Sequence, residues 1–494
     1  MMYSKNNIFF LPIFIIFFAF SWSIFLLSEW GTDYGGYYTT ARFLDEDYRL
    51  YKEAFDHKGP IYYIFLKYIG NLIGWGSKQA FLSLGITVSI YLLTIFYIAK
   101  NYIKNNLTLL IITGLSFATL LQQPSNISIS LFQFSLLLMF FFSVNQSQKK
   151  GKERYILISV ILLCLSILTR IDSIIYIILF FPLIIQNWDD KNNLKKIGIA
   201  LISGSIFSLL IVYTIFTCMD FSFNDFYIHN IQFNEWYKLT QSSKYPILAI
   251  FYRPEHLKLM ILNGLLPLLV LILNQIIYKK EKNNIKDIIA KIMNPNNFSM
   301  FVLIISIVGW LYIASDKNYH IVMLTTGVIY FIINNIHLVE KMLLKNYSFL
   351  IIYIAIICLY SLKPSIETII KKDNLFDPFD KYSDTKQYEK TIRDMADKSS
   401  VYIIGGRGWT YLFSNTKPKA AINDWWLYYK KETFTTEYLL KNHYLLINNR
   451  NGYEFWINNH LLDTNNTSKF FKEIINTSVP ISSDGYYTKF IIQK

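Results

Sequence analysis

Long apolar runs, separated by short polar connections, dominate the pattern of this chain. Most runs are close to the ~20 residues that an α-helix needs to cross the apolar core of a bilayer. The first run follows Lys5 and lacks a small-residue cleavage site, so it predicts an uncleaved anchor. The pattern predicts about eleven transmembrane helices, at roughly 8–28, 79–99, 107–121, 128–144, 155–168, 173–186, 197–217, 259–278, 298–314, 320–336 and 347–363.

Basic residues concentrate in alternate connections. The clusters are Lys149, Lys150, Lys152 and Arg154, then Lys191, Lys195 and Lys196, then Lys279, Lys280, Lys282, Lys286 and Lys291. Because cationic loops stay in the cytoplasm, this alternation predicts a multi-pass protein of the cell (inner) membrane with a cytoplasmic N-terminus. The segments predicted to be external, or periplasmic, are 29–78, 122–127, 169–172, 218–258, 315–319 and everything after about 364.

The orientation also settles residues 61–75, which are apolar but short, rich in tyrosine and interrupted by Lys67. If they crossed the membrane, every later loop would change sides and the lysine clusters would face outward. We therefore predict an amphipathic helix in the outer interface, where tyrosines and a long lysine side chain are stable.

The C-terminal segment has a different pattern. Val401–Ile404 and Tyr444–Ile447 are predicted to be buried strands, with helical stretches near 434–441 and 453–462. The predicted fold is thus an all-α polytopic membrane protein, with about eleven transmembrane helices and one interfacial helix, followed by a small external α/β domain. The domain boundaries predicted are 1–363 for the membrane domain and 364–494 for the external soluble domain.

Composition narrows the chemistry. The chain is 53% hydrophobic and carries a net charge of +14, but the basic excess lies in the cytoplasmic loops and predicts topology, with no nucleic-acid partner. The three cysteines lie in or beside apolar runs and form neither a disulfide framework nor a metal cluster. We predict no cofactor and no metal site, and leave a divalent cation open.

Ionisable residues are almost absent inside the apolar runs and gather instead in the outer-face segments. Ion-coupled transporters place such groups in mid-membrane, so the pattern favours chemistry at the outer interface. Residues 55–60, Phe-Asp-His-Lys-Gly-Pro, close a polar segment that opens with Asp33. A lysine there would hold a lipid phosphate while a carboxylate takes a proton from an attacking hydroxyl, as in a glycosyltransferase that uses lipid-linked sugars.

Two stretches carry a resemblance to a known family: Gly31-Thr-Asp33-Tyr-Gly-Gly-Tyr-Tyr38 and Asp56-His57-Lys58-Gly59-Pro60. They resemble the first external loop of the membrane-embedded GT-C glycosyltransferases, above all the aminoarabinose transferases of lipid A, the protein O-mannosyltransferases and related bacterial envelope enzymes. In that group an Asp shortly after the first helix is the catalytic carboxylate, and a His-Lys-Pro-Pro-like motif ends the loop. Gly59 replaces the first proline, and the Asp-Glu pair of the eukaryotic mannosyltransferases is missing, which favours a bacterial lipid or glycan acceptor.

The resemblance implies an inverting transfer from a polyprenyl-phosphate-linked sugar to an envelope lipid or glycan. Asp33 would be the general base, and Lys58 would stabilise the leaving phosphate, with His57 and Arg170 as further donor-binding residues. The predicted substrate-lining residues are Tyr34, Tyr37, Tyr38, Tyr62 and His320. The predicted partners are the polyprenyl-phosphate sugar, the lipid or glycan acceptor and membrane lipids.

Several alternatives stay open at this point. Asp33 is otherwise a solvated acid after a helix, Lys58 an interfacial lysine, and Arg170 simply the partner of Asp172. For the whole protein, the alternatives are a transporter or flippase of lipid-linked glycans, or an oligosaccharide polymerase or ligase. Oligosaccharide polymerases and ligases usually have arginine-rich external loops, whereas the predicted external loop 218–258 contains one arginine, Arg253.

Overall fold

A computed structural model describes residues 32–45, 48–52, 54–56, 58–102, 128–235, 298–313, 321–335 and 370, and five strands after residue 400. Within these residues the protein is mostly helical. Three helices are long and apolar enough to cross a membrane: Gln79–Lys100, Ser128–Lys150 and Lys191–Cys218. These helices agree with three of the predicted spans, while the spans near 8–28, 107–121, 259–278 and 347–363 lie outside the described residues. The total of about eleven stays a prediction.

The described residues fall into two compact units. The first, here called the helical unit, contains the described residues from Gly85 to Tyr213 and the helices Phe298–Ile313 and Ile321–Asn334. The second, called the mixed unit, contains the described residues of 30–84, of 214–241 and of the strands after residue 400. The predicted boundary between 1–363 and 364–494 stays a prediction.

In the helical unit, helices that follow one another in the sequence pack together, as Ser128–Lys150 does on Glu153–Ile167 and Phe298–Ile313 on Ile321–Asn334. Between residues 128 and 213 its elements are, in chain order, Ser128–Lys150, Glu153–Ile167, the 3-10 helix Ile171–Phe180, Phe181–Gln186 and most of Lys191–Cys218. Ser128–Lys150 is buried along most of its length, whereas Lys191–Cys218 exposes apolar side chains such as Ile202 and Leu209. An interior helix and a lipid-facing helix differ in this way when a bilayer is the solvent.

Small residues bring helices close together in this unit. A Cβ added at Gly204 would lie 2.8 Å from Cβ of Val160, on the helix Glu153–Ile167. Gly327 meets the side chain of Ser306 in the same way. Close approach at small residues replaces the hydrophobic driving force that is missing between helices in lipid.

The predicted span 173–186 is helical, but most of it is a 3-10 helix of ten residues. A 3-10 helix rises about 2.0 Å per residue, so Ile171–Gln186 extends about 29 Å in all. That length matches the apolar core of a bilayer, about 30 Å. The tighter winding thus gives this short apolar run the length that a crossing needs, and the crossing itself stays a prediction.

In the mixed unit, Thr32–Asp45 and Pro60–Ile73 are helices that pack on each other. Pro60–Ile73 confirms a helix at the predicted interfacial segment, and Lys67 Nζ donates to the carbonyl of Leu44 at 2.7 Å. The helix Thr32–Asp45 differs from the sequence prediction, which gave this segment as a polar loop. Its glycines, threonines and tyrosines are poor helix formers, so packing against Pro60–Ile73 stabilises the helix where local propensity does not.

A further helical stretch begins at Phe223. Ser222 and Asp225 form a reciprocal capping box at its start, with Ser222 Oγ accepting from the Asp225 N–H at 3.1 Å. The helix Phe223–Tyr227 passes into a single π-helical turn, Ile228–Gln232.

The strands form two sheets. The larger sheet contains β2 (Val401–Ile404), β4 (Tyr444–Asn448), β5 (Ser478–Ser483) and β6 (Tyr487–Ile492). The order of the strands in this sheet is β2-β4-β6-β5. The pair β2–β4 is parallel and confirms the two predicted strands, while β4–β6 and β5–β6 are antiparallel. In the second sheet β1, Ala54–Phe55, pairs in parallel with β3, Ala421–Ile422. The helices predicted near 434–441 and 453–462 lie outside the described residues, and the C-terminal α/β domain stays a prediction.

Candidate active site

The segment that carries Lys58 is fixed on both sides. Before it, Ala54 and Phe55 pair with Ala421 and Ile422 of β3. After it, Gly59 is the N-cap and Pro60 the first residue of the helix Pro60–Ile73. Proline is favoured at this position because its φ is already helical and no N–H is needed there. Lys58 therefore lies on a short connection between a pinned strand and a helix start.

Tyr51 holds this connection from the side. Its hydroxyl donates to the carbonyl of Lys58 at 2.7 Å and accepts from Nδ2 of Asn230 at 2.9 Å. Its ring lies edge-on to Phe221, with centroids 4.9 Å apart, and 4.8 Å from the ring of His229. Tyr51 is 2% exposed and has φ of 67°, a left-handed conformation that costs a non-glycine residue on the order of 1–3 kcal/mol. Such a conformation persists because the surrounding contacts determine it.

Asp56 lies two positions before Lys58, and its carboxylate is buried, with 5% of the residue exposed. Burial raises the pKa of Tyr63 well above its usual value, and the negative charge of Asp56 raises it further. Burial likewise raises the pKa of Tyr51, and Asp56 adds to this shift against the hydrogen bond from Asn230, which lowers it. Asp56 thus lies beside two neutral tyrosines. The sequence placed Asp56 in the motif but gave it no role, and Tyr51 carried no motif signal at all.

Asp33 belongs to the helix Thr32–Asp45. The side chain of Asp33, like His57 and His320, lies outside the described residues.

The four predicted substrate-lining tyrosines lie together in the mixed unit and are buried. Tyr34 OH donates to the carbonyl of Ala80 at 2.9 Å and is also hydrogen-bonded to Ser83. Tyr38 OH donates to the carbonyl of Gly74 at 3.0 Å. Burial raises the pKa of both hydroxyls. Tyr37 lies edge-on to Tyr62, with centroids 6.0 Å apart.

Arg170 belongs to the helical unit, where it precedes the 3-10 helix. Its Nη2 lies 2.8 Å from Oδ2 of Asp172, and its Nη1 donates to Oγ of Ser130 at 2.8 Å. The side chains of the ion pair are 10% and 14% exposed. Gln133 Nε2 lies 2.6 Å from Oδ1 of Asp172 and 2.6 Å from Oγ of Ser173. Arg170 and Asp172 therefore form the ion pair that the sequence allowed, and a role of Arg170 in binding the phosphate or the acceptor stays a prediction.

This pairing shapes what Arg170 can offer a ligand. A guanidinium has five N–H donors, and Ser130 and Asp172 engage one terminal nitrogen each. The pair carries no net charge, so Arg170 contributes oriented donors rather than a free positive charge. Among the described residues no group of three or more His, Cys, Asp or Glu is placed to hold a metal ion.

The comparisons with known proteins point to one fold. A crystal structure of ArnT from Cupriavidus metallidurans bound to undecaprenyl phosphate is similar, with 10% identity, a TM-score of 0.58 and coverage of 99% of this chain and 98% of that chain. The apo state of the same ArnT has a TM-score of 0.49, with 10% identity over 98% of each chain. The apo oligosaccharyltransferase of Archaeoglobus fulgidus has 0.44, with 13% identity over 90% of this chain and 70% of that one.

The fold assignment rests on the first of these structures, because the other two have TM-scores below 0.5. At 10% identity this likeness concerns architecture. No protein-family model matches the sequence, and no curated protein matches it either.

Proposed function

We propose that this chain, which has the fold of the GT-C membrane glycosyltransferases, transfers a sugar from a polyprenyl-phosphate-linked donor to an envelope lipid or glycan at the outer face of the membrane. The main support is that the likeness to ArnT extends over 99% of this chain, so the Asp33 and Lys58 motifs occur in a chain with an ArnT-like fold. A polyprenyl phosphate is the proposed leaving group because that ArnT structure contains undecaprenyl phosphate.

The proposed reaction is a single displacement. The acceptor hydroxyl gives its proton to the Asp33 carboxylate as its oxygen forms a bond to the anomeric carbon. The bond from that carbon to the phosphate oxygen breaks on the opposite face, which inverts the anomeric centre. The electron pair stays on the polyprenyl phosphate, and Lys58 stabilises the negative charge that develops there.

The remaining residues bind and orient. Arg170, held by Asp172 and Ser130, offers N–H groups in fixed positions to the headgroup of the lipid-linked sugar, and His57 is proposed to bind the same substrate. Tyr34, Tyr37, Tyr38, Tyr62 and His320 are proposed to line the sugar site. Because the two tyrosine hydroxyls of Tyr34 and Tyr38 already donate to carbonyls, these two would shape the site through their rings.

The test is mass spectrometry of lipid-linked sugars and envelope glycans in a strain that lacks the gene. The strain is complemented with the wild type, with Asp33→Asn and with Asp189→Asn, a matched change at an exposed turn. We expect the deletion to accumulate one polyprenyl-phosphate sugar and lose one glycan residue. Wild type and Asp189→Asn should restore the glycan, while Asp33→Asn lowers transfer by roughly 10²–10⁴-fold, the usual contribution of a general base.

Full restoration of the glycan by Asp33→Asn at normal expression would rule out Asp33 as the base. Transport of a lipid-linked glycan would then become the better account of the same phosphate-binding residues.

A further inference from the structure

The position of Lys58 depends on one side chain outside the sequence motif. Tyr51 OH donates to the main-chain carbonyl of Lys58 at 2.7 Å, although the two residues are seven positions apart. The N-cap residue Gly59 supplies no side-chain hydrogen bond to the helix that follows. The Tyr51 hydroxyl therefore holds the main chain at Lys58 through a specific hydrogen bond.

Tyr51 is itself held by a different part of the chain. Asn230 donates to its hydroxyl at 2.9 Å, and the ring of His229 lies 4.8 Å from the ring of Tyr51. Both residues lie on the π-helical turn Ile228–Gln232. Single π-helical turns inside helices are rare and often mark functional sites. Here the turn presents two consecutive side chains, 5% and 1% exposed, to the same tyrosine.

The conformation of Tyr51 points the same way. A large side chain with φ of 67° is uncommon, and it occurs where surrounding contacts impose it. An ion pair strengthens the link between the same two segments, since Arg49 Nη1 and Lys52 Nζ lie 3.2 and 3.5 Å from Oδ2 of Asp220. The segment on either side of Tyr51 is thus tied to the residues that precede the π-helical turn.

From these contacts we propose that Tyr51 is a positioning residue for Lys58, and that the hydrogen bond from its hydroxyl to the Lys58 carbonyl pre-organises the lysine for the phosphate of a polyprenyl phosphate. This inference rests on the proposed function, in which Lys58 binds that phosphate. A cation placed in advance interacts with phosphate without reorganising its own support, whereas a cation on a loose connection must be ordered when the lipid binds.

The roles of hydroxyl and ring separate chemically. Tyr51→Phe keeps the ring against Phe221 and His229 and removes only the hydrogen bond to Lys58 and the acceptor for Asn230. A hydroxyl that acts through Lys58 matters only while the lysine is present and only for a ligand with a phosphate. A hydroxyl that merely stabilises the fold affects all ligands alike.

The experiment is a double-mutant cycle on binding by the full-length protein in nanodiscs. The variants are Tyr51→Phe, Lys58→Met, the double variant and Tyr68→Phe, a control at a tyrosine that is 67% exposed. The probes are undecaprenyl phosphate and undecaprenol, which share the chain and differ in the phosphate. Thermal unfolding of each variant is measured in parallel.

We expect Lys58→Met to weaken undecaprenyl phosphate binding by about 10- to 100-fold, the range for a hydrogen bond to a charged group. Tyr51→Phe should weaken it by about three- to tenfold, the range for a neutral hydrogen bond. In the Lys58→Met background the effect of Tyr51→Phe should fall below about twofold, because coupled residues are not additive. Undecaprenol binding should stay unchanged in every variant, and Tyr68→Phe should behave as wild type.

Three results would overturn the proposal. If Lys58→Met weakens phosphate binding and Tyr51→Phe does not, Lys58 keeps its assigned role and Tyr51 loses its own. If Tyr51→Phe acts equally with and without Lys58, or equally on undecaprenol, its role is structural. If Lys58→Met has no effect, the phosphate assignment of Lys58 fails, and the role of Tyr51 with it.

A second variant covers poor folding of Tyr51→Phe. Asn230→Leu removes the donor that orients the Tyr51 hydroxyl and leaves the hydroxyl in place. It should weaken undecaprenyl phosphate binding in the same direction by a smaller factor, and again only while Lys58 is present. An equal loss of undecaprenol binding would contradict the proposal.

Discussion

The Arg170 cluster of the helical unit and the buried tyrosines of the mixed unit hold their polar groups in different ways. In the Arg170 cluster, side chains bond to side chains: Arg170 to Asp172 and Ser130, and Asp172 to Gln133. In the mixed unit, tyrosine hydroxyls bond to main-chain carbonyls, as Tyr34 does to Ala80, Tyr38 to Gly74 and Tyr51 to Lys58.

The difference has an energetic consequence. Removing one member of a buried ion pair leaves an uncompensated charge, which costs far more than the pair itself contributes. Removing a tyrosine hydroxyl leaves a neutral carbonyl, which costs about as much as one ordinary hydrogen bond. Loss of one charged member of the Arg170 cluster should therefore cost more than loss of one tyrosine hydroxyl in the mixed unit.

Asp172→Leu should have the largest effect. It leaves the guanidinium of Arg170 buried without its counter-ion, and we expect a loss of about 3–5 kcal/mol in the free energy of unfolding. The double variant Arg170→Met with Asp172→Leu should recover at least half of that loss. Chemical unfolding in detergent measures both. Lys196→Ala is the control, since its pair with Glu153 is 3.8 Å long and exposed, and it should change stability by less than about 0.5 kcal/mol. If the double variant loses as much unfolding free energy as Asp172→Leu alone, the loss does not come from the unpaired charge of Arg170.

Gly70→Leu should have the next largest effect, in the mixed unit. A Cβ at Gly70 would run into the ring of Trp75, whose Nε1 donates to Asp45 at 3.1 Å. Overpacking of this kind costs about 1–3 kcal/mol. Gly36→Ala is a control of opposite sign, because no atom lies within 4 Å of the added Cβ and alanine favours the helix by up to about 1 kcal/mol. Thermal unfolding should show a lower melting temperature for Gly70→Leu and a higher one for Gly36→Ala. A shift of both melting temperatures in the same direction would contradict this packing.

Tyr34→Phe should have a smaller effect. The hydroxyl donates to the Ala80 carbonyl, which also accepts from Ser83 Oγ at 2.8 Å and so keeps one donor when the tyrosine is lost. We expect a loss of about 1 kcal/mol in unfolding free energy. Tyr68→Phe, at an exposed position, should have no measurable effect. A loss for Tyr34→Phe as large as that for Asp172→Leu would remove the contrast between the units.

The smallest effect is expected at Asp220. The hydrogen bond from Arg49, followed by the charge of Lys52, lowers the pKa of this exposed carboxyl. A folded-state pKa below the unfolded value stabilises the protein at pH values above the unfolded pKa, about 3.9, and this contribution is lost as pH falls through the folded pKa. Asp220→Asn should therefore lower the melting temperature slightly at neutral pH, and the difference from wild type should shrink as pH falls below about 4 and vanish below the folded-state pKa. A difference that persists or grows in acid would contradict the ion pair as its cause.

The sequence predicts those features of the site that depend on residues close together in the chain. The sequence identified the Lys58 segment and the helix after it, because Pro60 and the apolar run that follows are local signals. It identified Arg170 and Asp172 as neighbours able to pair, because they are two positions apart in the sequence. Nothing local indicated Tyr51 or Asn230 as partners, since their hydrogen bond joins residues 179 positions apart.

Within the described residues, the sequence alone determined where apolar helices occur, that a separate helix lies within 61–75 and that strands lie at Val401–Ile404 and Tyr444–Ile447. These features follow from periodicity and from runs of hydrophobic residues, which act over one element. The tertiary structure decided that Thr32–Asp45 is helical, that much of 171–186 winds as a 3-10 helix, and that β1 pairs with β3 across more than 360 residues. In each case the stabilising contact comes from a distant segment, and no local propensity specifies it.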